Sequence, residues 1–160
     1  MKKLFVPILM MLVVGGALAS APRAQAARLE GSNHGGRRLI ARLSGTNEVN
    51  SAGVPNQGAP NGRGTAVITV NPGQREVCYV LRVSGVTLPA VGAHIHAAPT
   101  GKNGPIVVPF MAPNAAGVSK GCAKVTRALA LAILRNPAAY YVNVHTKEYP
   151  AGAMRGQLSK

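Results

Sequence analysis

The chain has 160 residues, with 18 Lys plus Arg against 4 Asp plus Glu, a formal charge of +14 at pH 7, and all four acids are glutamates. Without aspartate there is no Ser-His-Asp triad, aspartic dyad, EF-hand calcium loop or Asp-held magnesium. With 19 Gly, 12 Pro and no Trp, the composition describes a turn-rich β protein with few aromatic platforms for bases or sugars.

Lys2 and Lys3 precede an apolar stretch from Leu4 to Ala19, and Ala24-Gln25-Ala26 forms an A-x-A cleavage site. Residues 1–26 are therefore expected to be an export signal, with a cut after Ala19 as a second choice. A retained anchor is the alternative, although Pro7, Gly15 and Gly16 interrupt the run and it is short for a span. No second apolar run of spanning length follows. Residues 27–37 are polar and Gly-rich, read as a flexible N-terminus, and carry His34, which is expected to be inert. Residues 38–160 then make one domain with its own core. The positive charge is spread along the chain, with no run longer than Arg37-Arg38. It reads as a solvated surface that also attracts anionic polymers.

From Arg38 the pattern is strand-like. LIARLSGTNEV (39–49) is followed by a Pro/Gly/Asn loop (51–62), GTAVITV (64–70), a hairpin turn at Asn71-Pro72-Gly73, and REVCYVLRVSG (75–85). Further strands are expected at GAHIH (92–96), PIVVPFM (105–111), GVSKGCAKV (117–125), YYVNVHT (140–146) and AMRGQLS (153–159). Residues 126–135, TRALALAILR, break the pattern. Thr126 suits an N-cap, Leu129 and Ile133 share a helical face, and Asn136-Pro137 stops the run. The expected fold is mostly β: an antiparallel, Greek-key-like sandwich or barrel with one short helix before the penultimate strand.

Export decides the reading of Cys78 and Cys122, an even pair that is expected to form one disulfide. Metal ligation is the alternative, but neither cysteine belongs to a C-x-x-C pair.

Strand alternation assigns the polar residues to faces. If Ala93 and Ile95 are buried, His94 and His96 point the other way. If Val142 and Val144 are buried, Tyr141, Asn143 and His145 point the other way. Met154 and Leu158 leave Arg155 and Gln157 exposed, and Leu43 and Val49 in one phase leave Arg42 and Glu48 in the other. An H-x-H pair with a third distant histidine suits copper or zinc at His94, His96 and His145. Histidines that hold loop 97–104 against the sheet by hydrogen bonds would leave the same pattern. Glu48, Asn103, Tyr141, Asn143 and Arg155 form a candidate ligand-binding or structural polar patch.

The segments LSGTNEV, GRGTAVITVNPG, VCYVLRVSGV, GAHIHAAPTGKNGPIVV, NPAAYYVNVHT and PAGAMRGQL, in that order over residues 39–159, resemble the CHRD (chordin) domain family. The resemblance implies a secreted β-sandwich module and so a non-enzymatic binding or structural role toward an extracellular or envelope ligand. Ala153 stands where many members carry glutamate, so no carboxylate is required there. A narrower likeness, confined to His94, His96, His145 and Arg155, is to copper/zinc superoxide dismutase. The missing aspartate excludes its zinc site as such, which leaves a mononuclear copper site with Arg155 attracting an anion as the alternative function.

Ser44, Ser84 and Ser119 lack a G-x-S-x-G elbow, and no set of nucleophile, base and acid is visible. Nucleic-acid binding rests on charge alone and is not expected.

Overall fold

The structure, a computed structural model, describes residues 35–160. The expected export signal, His34 and most of the N-terminal stretch lie outside the described residues.

Alternating apolar and polar residues form eight strands: β1 (Arg37–Ser44), β2 (Arg63–Asn71), β3 (Glu76–Ser84), β4 (Gly92–Ala97), β5 (Ile106–Phe110), β6 (Val118–Lys124), β7 (Tyr140–His145) and β8 (Met154–Ser159). The helix, α1 (Arg127–Arg135), precedes β7, as the sequence pattern predicts. All strands belong to one antiparallel sheet in the order β5-β4-β7-β8-β1-β2-β3-β6. The pairing of β4 with β7, β3 with β6 and β1 with β8 joins strands distant in sequence, which gives the Greek-key character.

The sheet curls into a nearly closed barrel. Side chains rather than a ladder bridge the seam between β5 and β6. The Met111 amide donates to Tyr79 Oη at 2.9 Å, and Ser119 Oγ donates to the Met111 carbonyl at 2.7 Å. The Tyr79 and Phe110 rings stack at 3.9 Å. One residue in two along each strand points inward, and Leu39, Ala41, Ile68, Val70, Leu81, Ile95, Val142, Val144, Met154 and Leu158 fill the interior. The barrel interior is thus filled by packed apolar side chains.

Helix α1 is capped as expected, with the Leu129 amide donating to Thr126 Oγ1 at 3.1 Å. Its buried stripe is Ala130 with Ile133, and Leu129 packs at the margin. The β2–β3 hairpin closes through residues 72–75, with Arg75 at φ 53°.

Two expectations need correction. Strand β1 ends at Ser44 and does not continue to Val49. Ser44 caps a 3-10 turn at Gly45–Asn47, and a Cβ on Gly45 would collide with the Ala59 carbonyl, so the chain turns out of the sheet there. Glu48 therefore sits in a loop, not at a strand position. Arg155, expected to be exposed, is 2% exposed, and Gln157 is half-buried. Loops 45–62 and 97–105 cover the outer side of β7 and β8, so β8 is enclosed on both faces.

Cys78 and Cys122 stand opposite each other in the β3–β6 ladder and are bonded, 44 positions apart in sequence. A crosslink over that separation restricts the unfolded chain and is worth about 4 kcal/mol in the chain-entropy model. A Cys78→Ser/Cys122→Ser double variant is expected to lose about that much in urea unfolding. A loss under about 1 kcal/mol would contradict the entropic reading.

Candidate metal centre

The alternation that turns Ala93, Ile95, Val142 and Val144 inward turns His94, His96, Tyr141, Asn143 and His145 outward. Register sets their neighbours. Across β4–β7, Gly92 pairs with His145, His94 with Asn143 and His96 with Tyr141. Across β7–β8, Asn143 pairs with Arg155 and Tyr141 with Gln157. The outer face of three adjacent strands thus gathers all three histidines with Tyr141, Asn143 and Arg155.

The His94 ring centroid lies 5.6 Å from that of His96 and 5.2 Å from that of His145. One ring nitrogen from each histidine lies within 4.8 Å of the others. Gly92 makes room for this approach, because a Cβ there would stand 3.3 Å from His94 Cε1 and 3.6 Å from His145 Cδ2.

The loops decide which nitrogens face the centre. His96 Nδ1 lies 2.9 Å from the Gly104 carbonyl, and His145 Nδ1 lies 2.9 Å from the Pro150 carbonyl. A carbonyl oxygen only accepts, so both Nδ1 atoms carry the hydrogen and donate it. In a neutral ring this leaves Nε2 with its lone pair. His96 Nε2, His145 Nε2 and His94 Nδ1 are all buried without a protein hydrogen-bond partner. Among the described residues the only other such side-chain atom is Asn143 Oδ1. One nitrogen of His96 and of His145 thus holds a loop, and the other is buried without a protein partner.

Burial keeps the rings neutral. It lowers His94 to about 4, with further lowering from His145 and His96. Burial also lowers His96 and His145 below the ordinary imidazole value, against the raising effect of their carbonyl partners.

Beside the histidines lies a second polar group. Tyr141 is stacked on His96 with centroids 4.8 Å apart, and Arg155 Cζ sits 3.5 Å from the Tyr141 ring centroid. Since β7 runs between β4 and β8, the tyrosine ring lies between imidazole and guanidinium. Arg155 donates from Nη1 to Asn103 Oδ1 at 3.1 Å and from Nη2 to the Lys102 carbonyl at 2.8 Å. Asn103 Nδ2 donates in turn to the Val49 and Asn50 carbonyls at 3.3 and 3.1 Å, which joins the two covering loops. Glu48, 3% exposed, accepts from Asn143 Nδ2. Gly58 and Gly152 cradle it: a Cβ on either would come within 2.7 Å of the Glu48 side chain. Burial raises the Glu48 carboxyl to about 7, against the lowering effects of Arg155 and Asn143.

The structure thus brings together the candidate patch of Glu48, Asn103, Tyr141, Asn143 and Arg155 as well as His94, His96 and His145. Sequence reasoning missed the Gly104 and Pro150 carbonyls, which are backbone atoms without a residue signature, and the glycine cradle around Glu48. The Gly and Pro residues of these loops were the available signal.

The buried Glu48 acid contributes stability that is complete below about 4.5 and is lost as pH rises through about 7. The histidines act in the opposite sense, since their lowered values cost stability as pH falls below about 6.5. Glu48→Gln stays neutral at every pH and removes the first effect alone. Its melting temperature relative to wild type is expected to rise by at least about 3 °C between pH 5 and pH 8 in a thermal-denaturation series. A pH-independent offset would contradict this.

Searches of curated proteins and of solved structures returned no match. A family model described as the CHRD domain matches residues 39–158, which runs from within β1 to within β8 and takes in all of the site residues just described. The chain belongs to the CHRD domain family.

Proposed function

We propose that this protein is a CHRD-domain binding module whose ligand on the β4-β7-β8 face is a single transition-metal ion, held by His94 Nδ1, His96 Nε2 and His145 Nε2. One observation carries the reading: His94, His96 and His145 each have a buried ring nitrogen with no protein partner, and the three rings bring one nitrogen each within 4.8 Å of the others. Leaving such an acceptor unsatisfied costs about 1–3 kcal/mol per group. A cation relieves the three costs together. Small rotations of the rings would bring the nitrogens to the spacing of about 3.3 Å that tetrahedral metal–nitrogen bonds of about 2.0–2.1 Å require.

The donor set selects the class of ion. Imidazoles without carboxylate suit copper or zinc and disfavour calcium and magnesium, and copper(II) outcompetes zinc at equal availability. The carbonyl partners of His96 and His145 supply the outer hydrogen bonds by which metal-bound imidazoles are usually oriented. CHRD domains are found in extracellular or secreted proteins, a setting that agrees with the expected export signal. Arg155 has a different part from the one expected of it. Its guanidinium is buried, stacked and bonded to loop 97–105, so it clamps the site and offers no free cation to draw an anion to the metal.

Titration calorimetry of tag-free protein is expected to find one equivalent of copper(II) or zinc per chain. His145→Ala should lower the affinity by more than about 100-fold, and metal at about 100 times Kd should add about 2.7 kcal/mol of stability. Because the rings titrate below the ordinary imidazole value, affinity should hold until the pH falls below about 6. No metal-dependent change in stability at neutral pH would refute the proposal.

A further inference from the structure

Far from the histidines, the outer face of β1, β2 and β3 carries a cluster that the metal site does not use. Register places Arg42, Thr65 and Arg82 in one row across the three strands, and Ser44, Arg63 and Ser84 in the next. All six lie in the outward phase, because Leu43, Gly64 and Val83 occupy the inward one. A strand spacing of about 4.8 Å puts Arg42 and Arg82 about 10 Å apart, with Arg63 offset along β2. Together with Thr65 and Ser84 these arginines line a groove of about 480 Å³.

All three arginines are exposed. Arg63 Nη1 is anchored on the Pro60 and Gly62 carbonyls at 3.0 and 2.7 Å. Among the described residues no carboxylate pairs with Arg42, Arg63 or Arg82; the one ion pair is Lys124 with Glu76 at 2.9 Å. Among the described residues Glu76, at the far end of β3, is the only acid on this face, and the Arg42–Thr65–Arg82 row continues on β6 to Val118, with Lys120 one row away opposite Val80. Each arginine faces a Thr or Ser across the ladder and none faces a carboxylate, so ion pairing within the sheet does not explain the cluster.

We infer that this groove is a binding site for a linear polymer with repeating oxyanion groups. Guanidinium forks match oxyanions in two-point geometry, and Thr65 and Ser84 add hydroxyl donors between them. A polymer engages several such positions at once, and the net positive charge steers it to the face. A lipid surface fits less well, because the exposed large apolar residues, Val54, Val91, Ile106 and Met111, all lie elsewhere. The site is independent of the metal reading. Strand order puts β2 and β3 across the barrel from β4 and β7, so a polymer held here leaves the histidine face free.

The test compares wild type with Arg42→Gln/Arg63→Gln/Arg82→Gln and with Arg127→Gln/Arg135→Gln/Lys160→Gln, which removes equal charge elsewhere. Binding is read by fluorescence anisotropy with labelled linear polyphosphate and with labelled polyglutamate in about 100 mM salt. Unchanged melting temperatures show that the variants fold. The groove variant should bind at least one polymer about tenfold or more weakly, with a shallower salt dependence, and the control should change less than about threefold. Loss for polyphosphate alone identifies phosphate as the recognised group, loss for polyglutamate alone identifies carboxylate, and loss for both supports a site for oxyanions in general. Equal weakening in both variants, or no binding of either polymer by wild type, would overturn the inference.

Discussion

A guanidinium buried on the outside of the barrel is the constraint from which the polar face is built. An unpaired buried charge is costly, and Arg155 is retained at 2% exposure because its plane lies on Tyr141 and its nitrogens reach Asn103 and the Lys102 carbonyl. Those contacts draw loop 97–105 down onto β8. The next residue in that loop is Gly104, whose carbonyl takes the His96 Nδ1 hydrogen. Arg155 therefore acts on the histidine cluster through the backbone: it fixes the loop, the loop fixes the tautomer, and the tautomer leaves Nε2 of His96 free of the hydrogen. Tyr141, held between His96 and Arg155, keeps the two groups in register.

Much of this was legible in the sequence. Apolar alternation located seven of the eight strands to within about a residue, and Thr126 with Asn136-Pro137 bounded the helix. The same alternation put His94, His96, Tyr141, Asn143 and His145 on one face, because a two-residue period survives any choice of strand order. It failed at Glu48 and Arg155 for a shared reason. The period-2 rule assumes that the face turned away from the core meets water, and here two loops cover that face. Glu48 lies beyond the end of β1, where a 3-10 turn ends the alternation, and Arg155 lies on a strand enclosed on both sides. Neither covering loop has a periodicity from which its path could be read. Glycines are the local trace of the packing: Gly58 in loop 45–62 and Gly152, at φ 147° between β7 and β8, leave the space that the Glu48 side chain fills.

The barrel divides its labour between inside and outside. Its apolar interior, with α1 packed against it, supplies the stability, and the disulfide between β3 and β6 reinforces the strands beside the open seam. Chemistry is confined to outward positions, where a change of residue leaves the core packing untouched. Opposite walls can then carry unlike groups, neutral imidazoles on one and guanidinium groups on the other. Separation across the barrel also keeps the positive row away from the neutral imidazoles.

The central claim is that backbone carbonyls hold His96 and His145 as neutral rings with Nε2 unprotonated in the metal-free protein. Long-range 1H–15N correlation spectra of the imidazole rings at pH 7 test it most directly. The account predicts that both rings are neutral with the hydrogen on Nδ1, and that Nε2 responds when zinc is added. Rings protonated on Nε2, or imidazolium at pH 7, would contradict it.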